Sequence, residues 1–296
     1  KKKRQRNYAR LFLIGLVLFM AIYVASAGAI GKRLSSIIAP RLKLGEGGLG
    51  ETKKGEPDVG DKKTGEDEKR QQGDEDGKKI EKVSETIKIE PLSIFAIQLG
   101  AFSTEENANV LSEEIQLRGG GGYVINDEFY RVLAVGYVDE GDTNKVREQL
   151  KEQDISSEVY RISIPGANMQ VTASQEKLEG VKSAYSLWRD NISQMEEIIK
   201  ELDSKSITGE AAYTKVKTIR DEMEAVLNEL REYKAAEDSG PILEGLEEIY
   251  TMGVGAFDKL LDENYQNEVV FSSKIKYTSM EMVYIHKNYM DKIVNT

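Results

Sequence analysis

The side chains able to carry covalent chemistry are few in this 296-residue chain. It has no cysteine, which excludes disulfides, thiolate metal sites and cysteine nucleophiles. Its one histidine, His286, has no Asp or Ser partner at a fixed spacing and reads as a surface or hydrogen-bonded histidine, not a base. Glycoside hydrolysis would need two carboxyl groups facing each other across one bond. Glu196-Glu197, Asp221-Glu222 and Glu247-Glu248 are the obvious pairs, but neighbours on a helix point in different directions. All six are expected on solvated faces. The run Gly119–Gly122 lacks a following Lys-Ser/Thr and ends a helix, so it is no phosphate loop. These residues point to no enzyme, no cofactor and no metal site.

Binding chemistry is better supplied. The stretch IFAIQLGAF, Ile94 to Phe102, reads as a strand with Gln98 in its middle. A strand interior excludes a side-chain amide unless one face meets something polar. Strict alternation sends Phe95, Ile97 and Leu99 to one face and Ala96, Gln98 and Gly100 to the other. It likewise separates Tyr130, Val132 and Ala134 from Phe129, Arg131, Leu133 and Val135. In the stretch EVYRISI it turns Tyr160, Ile162 and Ile164 inward and Val159 and Arg161 outward. An uncovered face would then gather Gln98, Phe129, Arg131 and Val159. An aromatic ring for stacking, with an amide and a guanidinium for hydrogen bonds, suits a sugar. An ordinary half-solvated sheet would also carry one Gln and one Arg, so alternation alone leaves both readings open.

The elements that must hold these residues follow from local signals. Ser103-Thr104-Glu105-Glu106 matches a capping box, and Ala108, Leu111 and Ile115 continue at helical spacing up to the glycine run. Tyr123–Ile125 and Phe129–Val138 read as strands joined by Asn126-Asp127-Glu128. Asp142 should cap a second helix carrying Val146 and Leu150, and Glu158–Ile164 closes the series. The order is βαββαβ, an α+β open sheet with two helices on one face.

Several of these residues form a recognisable set. Ile97-Gln98-Leu99-Gly100-Ala101-Phe102-Ser103, then Asn107-Ala108, Tyr130-Arg131-Val132 with Gly136, and Lys151, together resemble the SPOR (sporulation-related repeat) domain over about residues 92–164. The resemblance implies the same βαββαβ fold and binding to septal peptidoglycan glycan strands stripped of their stem peptides. It puts the glycan-contacting positions on Gln98, Ala101, Phe129, Arg131 and Val159. Ala101 and Phe129 depart somewhat from the residues the family can carry there, and the four-glycine run is unusual and could loosen the hairpin. RNA-binding domains share this strand order and stack bases on an open sheet. Residues 94–164 hold 13 acidic against six basic residues, net −7, which repels phosphates, and the whole chain is net −10. No nucleic acid is expected.

The rest of the chain sets the context. Leu11–Ile30 is 20 residues without a charge, long enough to cross a bilayer as a helix. The basic residues before it, Lys1–Lys3, Arg4, Arg6 and Arg10, outnumber Lys32, Arg33, Arg41 and Lys43 after it. A short cytoplasmic tip (1–10), a span at 11–31 and an extracytoplasmic remainder are expected. Cleavage after Ala27, within Ala25-Ser26-Ala27, is the competing reading. Residues 32–90 are charged and glycine-rich and read as a disordered tether before the domain at 91–165. From 170 to 296 the period changes: Val171, Leu178, Tyr185, Ile192 and Ile199 fall at sevens, and three further apolar stripes follow. Short breaks near 204–209 and 236–240 make neighbouring helices antiparallel in a helical bundle. Gly253 and Gly255 are expected to interrupt its third helix. Trp188 and the Met/Tyr stripe of the last helix read as core, or as a groove for a protein partner.

Overall fold

The structure, a computed structural model, describes residues 81–236 and 240–295. The basic tip, the expected membrane span with its cleavage motif, and the tether as far as residue 80 lie outside the described residues. Among the described residues no helix is long and apolar enough to cross a membrane.

The expected strand order is present. Strand β2 (Leu92–Phe102), helix α1 (Glu105–Gln116), β3 (Tyr123–Asn126), β4 (Tyr130–Tyr137), α2 (Glu140–Glu152) and β5 (Glu158–Ile164) follow in chain order, and the sheet runs β3-β4-β2-β5, all antiparallel. The helix starts differ from expectation. Thr104 stands at the α1 N-cap without a side-chain cap bond, and Asp139, not Asp142, caps α2 by accepting from Gly141 N at 2.6 Å. Helix α1 ends as expected in the glycine run, where Gly119 adopts φ +86°, a left-handed conformation that costs glycine little.

The stretch expected to remain tether up to residue 90 is ordered earlier. Val83–Ile89 is β1, and it pairs antiparallel with β6 (Ala167–Ala173) in a separate two-stranded ribbon, Val83 opposite Ala173 and Ile89 opposite Ala167. Val171, read as the first seam position of a helix, therefore belongs to a strand. The ribbon buries Ile87, Ile89 and Met169 against the helices that follow.

Four helices complete the molecule: α3 (Gln175–Asp203), α4 (Gly209–Ala236), α5 (Pro241–Leu261) and α6 (Glu268–Asn295). Each packs on the next and α3 also packs on α6, closing a four-helix bundle with short connections. Trp188, Met195, Tyr250, Phe257 and Phe271 fill its centre, and the Tyr250 hydroxyl donates to Ala184 O at 2.7 Å. Gly253 does not interrupt α5. A Cβ there would meet Met223 and Trp188, so glycine allows the helices to approach closely.

The largest departure concerns the helix-free face of the sheet, which is not open. Helix α6 packs across it against β3, β4 and β5, while α1 and α2 cover the opposite face. A Cβ on Gly136 of β4 would stand 2.8 Å from the Met280 sulfur and 2.9 Å from Ile94 Cγ2, whereas a Cβ on Gly100 would stand 2.7 Å from Leu111 of α1. Tyr123 of β3 packs edge-on against Tyr277 and also meets Tyr284, both on α6. Bundle and sheet thus share one continuous core.

The glycine run is part of the same junction and does not loosen the hairpin. Gly121 N donates to Ala134 O at 2.7 Å, and a Cβ on Gly121 would sit 3.1 Å from the α6 backbone at Lys276 and Tyr277. Lys276 Nζ donates to Gly119 O at 2.8 Å and pairs with Asp203 at 2.8 Å, while Ser273 Oγ donates to Gly120 O at 2.8 Å.

Candidate functional site

Residues facing each other directly in an antiparallel pair share a face. Ala96 lies opposite Gly136 and Tyr160, and Ile97 opposite Val135 and Val159. Tyr160, Ile162 and Ile164 therefore point toward α6, and Val135, Val159 and Arg161 toward the α1/α2 side. This reverses the expected phase of the last strand. Helices lie on both faces of this sheet, so the apolar alternation of β5 does not say which of them Ile162 and Ile164 meet. Val159 is thereby removed from the expected platform.

Two irregularities re-aim β2 and β4. The β2–β4 register shifts between Ile97 and Gln98 and again between Gln98 and Gly100, so that Ala134 and Leu99 are extra residues on their strands. Each bulge inverts the alternation beyond it. Gly100 consequently turns to α1, and Ala101 comes opposite Arg131, on the face of Gln98. Four of the five expected residues, Gln98, Ala101, Phe129 and Arg131, line one cleft of about 320 Å3 together with Leu99, Gly100, Ser156, Ser157 and Glu158.

The polar centre of the cleft is a connected network. Gln98 is only 7% exposed; its Oε1 accepts from Arg131 Nη1 at 3.0 Å, and its Nε2 donates to Glu158 at 3.4 Å. The amide that looked misplaced in a buried strand is thus satisfied at both ends. Arg131 Nε donates to both carboxylate oxygens of Asp127, at 3.0 and 2.8 Å. The guanidinium carbon lies 5.6 Å from the centre of the Phe129 ring and 5.1 Å from that of Tyr160, within cation–π range of both. The Phe129 ring is 45% exposed, a wet aromatic face beside fixed hydrogen-bonding groups.

Asp127, Tyr160 and Glu158 were not among the expected site residues. Asp127 sits in the β3–β4 turn, where its Oδ1 accepts from Phe129 N at 3.0 Å and its Oδ2 accepts from the Tyr160 hydroxyl at 2.9 Å. Burial pushes its carboxyl up, but the hydrogen bonds from Arg131, Phe129 N–H and Tyr160, with the Arg131 charge, outweigh that and hold its pKa at about 2. Burial and the same carboxylate push the Tyr160 hydroxyl up. The Asx pattern of Asn126-Asp127 was legible as a turn, but the four-residue spacing from Asp127 to Arg131 becomes a contact only because the hairpin folds back.

The other residues considered for chemistry do not join a site. Glu196 is not on a solvated face: it is 8% exposed, accepts from Val138 N at 2.8 Å and pairs with Lys200 at 2.5 Å, tying the end of β4 to α3. Glu197, Asp221, Glu222 and Glu248 are exposed, and Glu247 is half-buried against Lys234. His286 is neither at the surface nor hydrogen-bonded. It is 1% exposed, and both ring nitrogens lack a partner among the described residues. Among those residues no cluster could hold a metal ion.

Residues 91–161, about a quarter of the chain, match the family model of the SPOR domain. The chain therefore carries a SPOR domain, a class of non-catalytic domain that binds peptidoglycan, and every residue lining the cleft lies inside it. No curated protein and no solved structure matches the chain.

Proposed function

We propose that this chain is a non-catalytic peptidoglycan-binding protein that recognises glycan strands denuded of stem peptides at septa formed in division or sporulation. The observation that carries this reading is the cleft at Gln98, Ala101, Phe129 and Arg131, where a solvent-facing ring stands beside an amide and a guanidinium already fixed in place. Pre-set donors and a rigid ring lower the ordering cost of holding a flexible sugar chain. Removing a stem peptide leaves a lactyl carboxylate, and a guanidinium is suited to receive one. Asp127, ionised at neutral pH and engaged by Arg131, Phe129 N–H and Tyr160, is not a general acid there. On sequence alone, the reading adds Leu11–Ile30 as a single membrane anchor, with the cytoplasm on its N-terminal side.

The test is co-sedimentation of the full chain, in mild detergent, with purified wall sacculi before and after amidase treatment. Pelleting should rise after amidase and fall roughly tenfold in Arg131→Ala and Gln98→Ala, the loss expected when a charge-assisted hydrogen bond is removed. Equal, background-level pelleting in all samples would reject the reading.

A second reading is favoured by one observation, the coverage of the sheet by α6. In it the chain is a membrane-tethered envelope scaffold acting through its bundle on a protein partner, with a SPOR fold that no longer binds glycan. A folded full chain that ignores denuded sacculi would support this alternative.

A further inference from the structure

The network around Arg131 has an organising residue outside the set on which the resemblance rests. Asp127 receives Arg131 Nε on both oxygens, Phe129 N–H on Oδ1 and the Tyr160 hydroxyl on Oδ2. Those three donors come from the two residues that present the ring and the cation to the cleft, and from β5, which lies beyond β2 in the sheet. Without Asp127, Arg131 would keep only the Nη1 bond to Gln98, and the long side chain would regain rotamer freedom. With it, Nε and Nη1 are both occupied, and Nη2 has no protein acceptor among the described residues.

We propose that Asp127 is the positioning residue of this cleft: it clamps the Arg131 guanidinium between Phe129 and Tyr160 and leaves Nη2 for a ligand carboxylate or hydroxyl. The proposal rests on the glycan-binding reading for its functional consequence but not for its structural one. Asp127 touches no ligand itself. It acts through Arg131, so its loss and the loss of Arg131 should not add.

The test uses the full chain with 15N-arginine, in the wild type and in Asp127→Ala, Asp127→Asn, Arg131→Ala and the Asp127→Ala/Arg131→Ala double variant. In the wild type the Arg131 Nε–H signal should be dispersed and slow to exchange with water. Asp127→Ala should collapse it into the free-arginine envelope, and Asp127→Asn, which keeps one acceptor, should retain part of the protection. Binding to amidase-stripped sacculi should fall about tenfold in Asp127→Ala and no further in the double variant than in Arg131→Ala alone. An Arg131 Nε–H that stays protected in a folded Asp127→Ala, or additive losses in the double variant, would overturn the proposal. If Asp127→Ala does not fold, unchanged protection in Asp127→Asn would overturn it equally. A wild type that fails to bind sacculi rejects the glycan reading, and the arginine signal still decides the role of Asp127.

Discussion

Met280 on the last helix packs directly over Gly136 in the central part of the sheet, with room for no atom between them: a Cβ on Gly136 would lie 2.8 Å from the Met280 sulfur. A glycine inside a strand weakens it, and here it lets a helix approach the backbone. The contact marks where the four-helix bundle and the SPOR sheet become one core.

Gly136→Val should therefore destabilise the protein by about 1–3 kcal/mol through overpacking against Met280 and Ile94. Urea unfolding would read this directly. Met280→Ala in the same chain should restore part of the loss, because the methionine is one of the two groups in the way. A double variant no better than Gly136→Val would show that Ile94 alone sets the limit.

Lys276 and Asp203 form a pair whose side chains are 8% and 14% exposed, with Ser272 and Gly119 O supplying further hydrogen bonds. Lys276→Met leaves Asp203 charged and nearly buried, and should cost about 3–5 kcal/mol. Replacing both, with Lys276→Met and Asp203→Leu, should cost less than the single change, since no uncompensated charge remains. Chemical denaturation of the three proteins orders them.

His286 makes folding pH-dependent. Burial first, then the nearby Arg189 charge, lowers its pKa from the ordinary 6.5 to about 4. The unfolded chain thus binds this proton between pH 6.5 and 4 while the folded chain does not, so stability is full above 6.5, falls through that window and flattens below it. The loss is about 3 kcal/mol from this group. His286→Leu should abolish that part of the slope and stabilise the protein at pH 7, where the two ring nitrogens are otherwise buried without partners. A wild-type stability that does not change between pH 7 and 4.5 would contradict this account.

Cutting the chain after residue 166 should expose the face occupied by Met280, Tyr277 and Tyr284 and remove the partner strand of β1. With both chains started at residue 81, such a fragment should bind a hydrophobic dye or aggregate, where the chain carried through to residue 296 should do neither. A monomeric, dye-silent fragment would mean that α6 contributes little to the sheet.

Much of this was readable from residue order. The 4-3 spacing of apolar residues gave the bundle helices, and the βαββαβ series emerged from helical spacing, turns and alternation. Gln98, Ala101, Phe129 and Arg131 converge as the motif resemblance implied, although alternation alone had not placed Ala101 with them. What could not be read depends on choices made at long range. Strand β1 looks like tether because its partner lies more than 70 residues away. The bulges at Leu99 and Ala134 each shift the phase by one residue, and nothing in either identity announces it. With helices on both sides of the sheet, Val159 and Tyr160 gave no sign of which side each would take. Asp127 was missed because a turn aspartate looks the same whether it serves only its own loop or holds an arginine.

The glycine run carries a consequence for how such a protein could be assembled from parts. Gly121 and Gly136 are shaped to receive one particular helix, with its backbone at Lys276 and Tyr277 and the Met280 sulfur as the matching surface. A foreign SPOR module carrying a side chain in place of Gly121 would meet the α6 backbone and be refused at this seam. The module and the last helix thus fit together as one part, although more than a hundred residues of chain separate them.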